Sequence, residues 1–131
     1  MTQTNFEIFV NKFADYGIKY IELTPAIGEP FLDKEFDKKL KYLESKKEID
    51  HYLVTTNLTI LQPKHFELLK NLKKLILTVS LYGYDSESFS ANTNKDNFKV
   101  FEEKFNTLFD TLNEGVDFLV EINIRCGRHL T

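Results

Sequence analysis

"IELTPAIGEPFLDKEF", residues 21–36, begins as a strand, turns at glycine and proline, and continues into a charged helix. Apolar residues alternate with glutamate and threonine at its start, which predicts a strand that buries one face. Gly28 and Pro30 are typical of a turn, and we expect a helix to begin near Asp33. A turn does not require the carboxylate of Glu29 between them, so this residue needs a chemical explanation.

The same exchange between strand and helix patterns continues along the chain. We expect helices from a capping box at Thr4–Glu7 to Gly17, from near Asp33, at Pro63, and from Phe98 to Gly115. We expect strands over Ile18–Thr24, His51–Thr56, Leu75–Ser80 and Phe118–Arg125. Strands separated by helices usually run parallel. The order α-β-α-β-α-β-α-β therefore predicts an α/β fold, either a doubly wound sheet or part of a β/α barrel.

Length, charge and cysteine content narrow the class of protein. The chain has 131 residues and a formal net charge of −3 at pH 7. This is the size of one domain, and the charge gives no reason to expect nucleic acid as a partner. The sequence shows no transmembrane run and no signal peptide, so we expect no membrane partner. The one cysteine, Cys126, excludes an internal disulfide and favours a reducing compartment.

Three of the predicted strands carry a polar face opposite an apolar one. The polar residues of this alternation are Glu22, Thr24, Thr78, Ser80, Glu121, Asn123 and Arg125. Parallel strands that are buried on both faces usually have continuous apolar sequences, so this pattern favours a water-filled cavity, such as a barrel lumen. The alternative is a sheet whose polar face lies in solvent. We favour the cavity because polar groups also gather where the strands end.

The strand ends carry groups that suit one kind of ligand. Gly28-Glu29-Pro30 follows the first strand, Thr55-Thr56-Asn57 the second, Ser80 to Gly83 the third, and Arg125 the fourth. A carboxylate beside a glycine can receive an ammonium group, because the glycine lets the backbone approach closely. Hydroxyl, amide and guanidinium groups bind carboxylates or a ribose. The set predicts a zwitterionic, hydroxylated ligand, such as an amino acid joined to a nucleoside.

Four segments together resemble the core of radical S-adenosylmethionine (radical SAM) enzymes. They are YIELTPAIGEPFLDKEF, LVTTNLTIL, LTVSLYG and VEINIR, which begin at residues 20, 53, 77 and 120. That family has a partial β/α barrel that binds a [4Fe-4S] cluster and S-adenosylmethionine. The resemblance covers residues 1–131 as one segment, from the first family helix to the fifth family strand. The first strand with its cluster-binding loop and the last strand are expected to be missing.

The resemblance assigns roles to individual residues. Gly28, Glu29 and Pro30 match the glycine-rich motif in which the glutamate meets the methionine amino group. Thr55, Thr56, Asn57 and Ser80 match strand-end positions that contact the ribose or carboxylate, and Arg125 lies on a strand that often supplies another contact. By their alternation, Glu22, Thr78, Glu121 and Asn123 are expected to line the lumen and to help select the substrate.

Two departures from the family pattern limit the resemblance. Ile27 stands where the first glycine of a Gly-Gly-Glu-Pro motif usually lies, which affects only the shape of the turn. The family binds its cluster through C-x3-C-x2-C, and one cysteine cannot replace three. The ligands of a [4Fe-4S] cluster are therefore not present in this chain, which we expect to be inactive by itself.

The expected function is that of a segment of a radical SAM enzyme. With a cluster bound elsewhere and an electron donor, S-adenosylmethionine would yield a 5′-deoxyadenosyl radical that takes hydrogen from an unknown small-molecule or peptide substrate. The chief alternative is a non-catalytic module that binds S-adenosylmethionine or a nucleoside and has lost the cluster. An unrelated sugar-binding or isomerase-type barrel would need histidines at the strand ends, which this chain lacks, and a scaffold without activity remains a further alternative.

Overall fold

The structure is a computed structural model that describes residues 1–24, 28–93 and 95–124. The strands are β1 (Tyr20–Leu23), β2 (His51–Thr56), β3 (Leu75–Leu81) and β4 (Leu119–Ile124). The α-helices are α1 (Gln3–Asp15), α2 (Phe36–Ser45), α3 (Pro63–Leu69), α4 (Ser86–Thr93) and α5 (Phe98–Asn113), and a short 3-10 helix spans Pro30–Leu32.

The four strands form one parallel sheet in the order β1-β2-β3-β4. Each strand lies beside the strand that follows it in sequence. A doubly wound sheet reverses its strand order at a switch point, and the described strands show no such reversal. The winding is therefore that of a β/α barrel, and the prediction of a partial barrel with about four parallel strands is confirmed.

One face of the sheet carries the hydrophobic core. Alternate residues of β2 and β3 are buried on this face against the apolar sides of the helices. They are Tyr52, Val54, Leu75, Leu77 and Val79, and the buried helix residues include Leu40, Leu43, Phe66, Leu69 and Leu108. The spacing of apolar residues in α2, α3 and α5 produces one continuous stripe on each helix, which explains why these helices form and why they cover this face.

The opposite face of the sheet is polar toward the strand ends. The register places Thr55, Thr78 and Glu121 in one row across β2, β3 and β4, and it places Ser80 beside Asn123. Glu22 on β1 points to the same side of the sheet, because its partner in register, Leu53, lies two residues before Thr55 on β2. We call these six residues the polar face. The predicted alternation is confirmed, because residues in register on neighbouring strands point to the same side of a sheet.

Helix starts differ from the sequence prediction at two points. The N-cap of α1 is Thr2, whose hydroxyl accepts a hydrogen bond from the Asn5 amide at 3.2 Å, so the capping box predicted at Thr4–Glu7 is wrong. The helix begins two residues earlier because the Thr2 hydroxyl satisfies one of its free amides. The helix expected near Asp33 is preceded by the 3-10 turn, and α2 begins at Phe36.

Helix α4 was not predicted. Its sequence, SESFSANT, contains one large apolar residue, Phe89, and thus has no apolar stripe for a pattern to reveal. The helix forms because Asp85 accepts a hydrogen bond from the Ser88 amide at 2.8 Å and because Phe89 is buried against Tyr82, Phe98 and Phe101. Tertiary packing therefore decides this element.

Candidate functional site

The loop after β1 presents Glu29 to the ends of the neighbouring strands. Gly28 has φ +88°, a left-handed conformation that favours glycine. The Glu29 carbonyl accepts a hydrogen bond from the Leu32 amide at 3.1 Å, which starts the 3-10 helix, and Pro30 fills its first position. The backbone that follows Glu29 is therefore fixed by the 3-10 helix.

The Glu29 carboxylate joins the two motifs that the sequence places on successive strand ends. The Thr56 hydroxyl donates to Oε2 at 2.7 Å, and the Asn57 amide donates to Oε1 at 2.5 Å. These partners lie 27 and 28 residues away in sequence. The structure therefore brings the ends of β1 and β2 together through direct hydrogen bonds.

Hydrogen bonds within the loop after β2 hold Thr56 and Asn57 in position to donate to Glu29. The Asn57 side-chain oxygen accepts from the Thr59 amide at 3.0 Å and from the Thr59 hydroxyl at 2.7 Å. The Leu58 amide donates to the Thr56 hydroxyl at 3.0 Å, and Leu58 has φ +69°, which is unusual for a bulky residue. Backbone held in such a conformation is typical of functional loops.

Burial controls the electrostatics of Glu29. Removal from water raises the pKa of this carboxyl above its ordinary value, and the hydrogen bonds from Thr56 and Asn57 offset part of the rise. A carboxylate offers about four lone-pair directions, and the two described donors leave the others open. The group can therefore accept further hydrogen bonds from a cation.

Glu29 also lines a cleft of about 720 Å³ between α1, β1 and the start of α2. The cleft is largely apolar, and its charged side chains are Glu22, Glu29, Asp33 and Lys39. The ammonium group of Lys39, which is almost entirely buried, forms an ion pair with Asp33. The lysine charge is thus already neutralised on the wall of the cleft.

The other predicted residues lie apart from this carboxylate. Thr55 is half-buried on the polar face in register with Thr78, and the Thr78 hydroxyl donates to Glu121 Oε2 at 3.4 Å. Ser80 is buried on the same face, one step further toward the strand end. Arg125 lies outside the described residues, so its predicted contact with the ligand remains a prediction.

Tyr20 lies on the same side of the sheet as the polar face, and the sequence analysis missed it. Its hydroxyl donates to Glu22 Oε1 at 3.3 Å. Burial raises the pKa of Tyr20, and the negative charges of Glu22 and of Glu121 on β4 raise it further. Extending the alternation from Glu22 by two residues toward the start of β1 would have found it.

Two features are absent from the described part of the chain: a group of metal-ligating side chains and a helix suited to crossing a bilayer. No group of three or more His, Cys, Asp or Glu side chains there is arranged to hold a metal ion. The whole sequence has one cysteine, which does not fit a cluster bound by three. None of the helices in the described ranges combines the length and apolar character needed to cross a bilayer.

Comparison with known proteins places this geometry in a family. The model of the Radical SAM superfamily matches residues 2–123. No curated protein matches the chain. Among solved structures, Streptococcus suis SuiB bound to the precursor peptide SuiA aligns with a TM-score of 0.71 and 21% identity, over 89% of this chain and 25% of that one.

Two further structures of the same protein also match. S. suis SuiB bound to S-adenosylmethionine aligns with a TM-score of 0.59 and 20% identity, over 91% of this chain and 33% of that one. S. suis SuiB alone gives 0.59 and 18%, over 98% and 35%. The chain thus spans about a quarter to a third of the length of the SuiB chains, and the likeness is one of fold.

Proposed function

Because this chain belongs to the Radical SAM superfamily, we propose that it is the part of a radical enzyme that binds S-adenosylmethionine. The observation that carries the proposal is the position of the Glu29 carboxylate. Two hydrogen bonds hold it where the ends of β1 and β2 come together, and it can accept further hydrogen bonds. The ammonium group of an amino acid is the ligand that matches it. Family membership supports the nucleoside half of the ligand.

We propose the following division of roles around the ligand. Glu29 accepts the ammonium group, while Gly28 and Pro30 set the path of its loop. The side chains expected to contact the carboxylate or the ribose are Thr55, Asn57, Ser80 and Arg125. The region would run from the first family helix to the fifth family strand within residues 1–131.

The chemistry of the complete enzyme depends on groups that this chain does not supply. When bound and reduced by one electron, S-adenosylmethionine would be cleaved at its S–C5′ bond into methionine and a 5′-deoxyadenosyl radical, which would abstract hydrogen from a substrate. The residues present do not fit a [4Fe-4S] cluster, so we place its ligands outside these 131 residues. The reduction of S-adenosylmethionine also requires an electron donor. The residues of this chain bind and orient the ligand, and the apolar cleft walls exclude water.

The substrate would be chosen on the polar face. Glu22, Thr78, Glu121 and Asn123 are proposed to contact it, because they are in register on one side of the sheet. A peptide or a small molecule would suit this surface, and the match to SuiB bound to a precursor peptide supports a peptide. We expect the protein to work in the cytoplasm, in keeping with its single cysteine.

Calorimetric titration tests the proposed role of Glu29. We expect the chain to bind S-adenosylmethionine and the variant Glu29→Gln to bind it at least tenfold more weakly, since a hydrogen bond to a charged group contributes about 1.5–3 kcal/mol. Methylthioadenosine, which has no ammonium group, is the matched ligand control and should bind both forms equally. Equal affinity of the two forms for S-adenosylmethionine would contradict the role of Glu29.

A non-catalytic module that binds S-adenosylmethionine is the second candidate, and the single cysteine favours it. The protein at its natural length distinguishes the two. Anaerobic reconstitution with iron and sulfide should produce the absorption of an iron–sulfur cluster if the protein is an enzyme. Binding of S-adenosylmethionine without cluster formation would support the module.

A further inference from the structure

We propose that Thr56 is a positioning residue, which fixes the Glu29 carboxylate in the orientation that receives an ammonium group, and does not contact the ligand. The proposal changes the role that the sequence assigns to Thr56. The part of the proposal that concerns ligand binding rests on the proposed function of Glu29. The structural part, the control of the carboxylate, can be tested on the free chain.

The hydrogen bonds of Thr56 and its burial together exclude contact with a ligand. A hydroxyl has one donor and two acceptor directions. The donor is used on Glu29 at 2.7 Å, and the Leu58 amide occupies one acceptor direction at 3.0 Å. The residue is 1% exposed and lies on the core side of β2, in register with Val79. A bound nucleoside or carboxylate on the polar face cannot reach this hydroxyl.

The loop that follows holds the donor in place before any ligand arrives. Leu58 is fully buried and has φ +69°, and its carbonyl accepts from the Leu61 amide at 3.0 Å. The Thr56 hydroxyl and the Asn57 side chain each bind an amide of this turn. The conformation that aims the Asn57 amide at Glu29 is thus fixed on both sides, which reduces the ordering that binding would require.

None of the described cations is shown to fix the orientation of the Glu29 carboxylate. The charged groups that share the cleft with Glu29 come from every element around it: the Met1 terminus, Glu22 on β1, Asp33 after the 3-10 helix and Lys39 on α2. Lys39 is already paired with Asp33. Among the residues that the structure describes, the Thr56 hydroxyl and the Asn57 backbone amide are the donors that bind the Glu29 carboxylate, and Thr56 is the one that a side-chain substitution can remove.

The test uses two substitutions of Thr56 in the ligand-free chain. Thr56→Val keeps the shape and removes the hydroxyl, whereas Thr56→Ser keeps the hydroxyl. The pKa of Glu29 is measured by NMR titration of its side-chain carboxyl carbon. We expect Thr56→Val to raise the pKa further, because the ionised form loses a donor, and Thr56→Ser to restore it. Thr55→Val, the same change on the opposite face of β2, should leave the pKa of Glu29 unchanged.

Titration with S-adenosylmethionine then tests whether Thr56 affects ligand binding through Glu29. Thr56→Val should weaken binding about tenfold and Thr56→Ser much less. In the Glu29→Gln background, Thr56→Val should have no further effect on affinity, since Thr56 acts through Glu29. An equal loss in both backgrounds would instead show that Thr56 contacts the ligand, and it would overturn the proposal.

The two measurements separate the failure of this proposal from that of the proposed function. An unchanged pKa of Glu29 in Thr56→Val contradicts positioning, whatever the affinity. A shifted pKa in a chain that does not bind S-adenosylmethionine supports positioning and contradicts the ligand. If Thr56→Val does not fold, hydrogen exchange of the wild-type Asn57 and Leu58 amides decides: slow exchange supports the fixed loop, and rapid exchange overturns it.

Discussion

Glu29 is the residue whose protonation should control ligand binding. Its pKa is raised by burial, so the carboxylate is lost at a higher pH than for an exposed glutamate. Affinity for S-adenosylmethionine should therefore be constant near neutral pH and fall about tenfold per pH unit below the raised pKa. Titration calorimetry between pH 4 and pH 7 checks this. Glu29→Gln should bind weakly at every pH, and a wild-type affinity that does not change with pH would contradict the assignment.

The same raised pKa predicts an unusual effect on stability. A carboxyl whose pKa is higher in the folded state contributes stability below its ordinary pKa, and this contribution is lost as pH rises through the folded value. At pH 7 the buried charge is therefore unfavourable, and Glu29→Gln should unfold at the same temperature as the wild type or a higher one. At pH 4 this advantage should disappear. Glu102→Gln, at an exposed position on α5, is the control and should change neither temperature.

Two glycines should differ in their tolerance of a methyl group. A Cβ on Gly83 would lie 2.3 Å from the Phe89 amide nitrogen and 2.6 Å from the Ser88 carbonyl carbon, both of which are backbone atoms. A Cβ on Gly28 would meet only a Leu32 methyl at 3.8 Å, so strain from its positive φ is the main effect. We expect Gly83→Ala to destabilise by about 3 kcal/mol and Gly28→Ala by about 1 kcal/mol. Urea denaturation measures both, and equal losses would contradict the packing of α4.

At the scale of elements, helix α2 is tied to the beginnings of two strands by Glu44. This carboxylate accepts from the Tyr52 hydroxyl at 2.8 Å and from the Lys73 and Lys74 amides at 2.9 and 3.1 Å. Glu44→Gln should destabilise the chain by about 1–3 kcal/mol, because the amide group of glutamine cannot accept from every donor. Tyr52→Phe removes one of the three bonds and should cost about 1 kcal/mol. Denaturant unfolding measures these differences.

These two variants also serve as controls for the candidate site. Tyr52 lies four residues before Thr56 on β2, which separates them by about 13 Å of strand. Both variants should therefore bind S-adenosylmethionine as the wild type does. A large loss of affinity in either would mean that stability, and not the Glu29 contacts, limits binding.

The elements that the sequence predicted well are those whose pattern is local. β2 has the predicted beginning and end, and α3 begins at the predicted Pro63, because an alternating strand and a helix that starts at a proline carry their own signals. α4 was missed because its burial depends on Phe98 and Phe101, which lie after it in sequence. The start of α1 was misplaced because two threonines, Thr2 and Thr4, are equally good caps by composition.

The candidate site shows the same division between local and long-range information. The sequence placed Glu29, Thr56 and Asn57 at neighbouring strand ends, and the structure joins them by hydrogen bonds. It did not reveal that the Thr56 hydroxyl is turned to the core side, because that depends on where β2 ends relative to the loop after β1. Hydrogen-bond capacity is a property of the folded environment, whereas the choice of residue types is visible in the sequence.

At the scale of the whole molecule, the described sheet ends in β1 on one side and β4 on the other, each with a single described neighbour. Leu119 and Ile124 on β4 are 60% and 63% exposed. Strand edges with exposed apolar residues pair readily with other chains. We therefore expect the 131-residue chain to self-associate in a concentration-dependent manner, which sedimentation velocity measures.

The substitution Leu119→Lys tests whether the edge strand β4 is the surface through which the chain self-associates. Leu119→Lys should shift the chain toward the monomer, because a charged residue on a strand edge opposes pairing with another chain. Ile8→Lys is the matched control, since Ile8 is 57% exposed but lies on α1 and not on β4. If Ile8→Lys reduces association as much as Leu119→Lys, the apolar side of α1 drives it instead. If neither variant changes the sedimentation of an associating wild type, β4 is not the surface, and pairing through β1 is the next hypothesis to test.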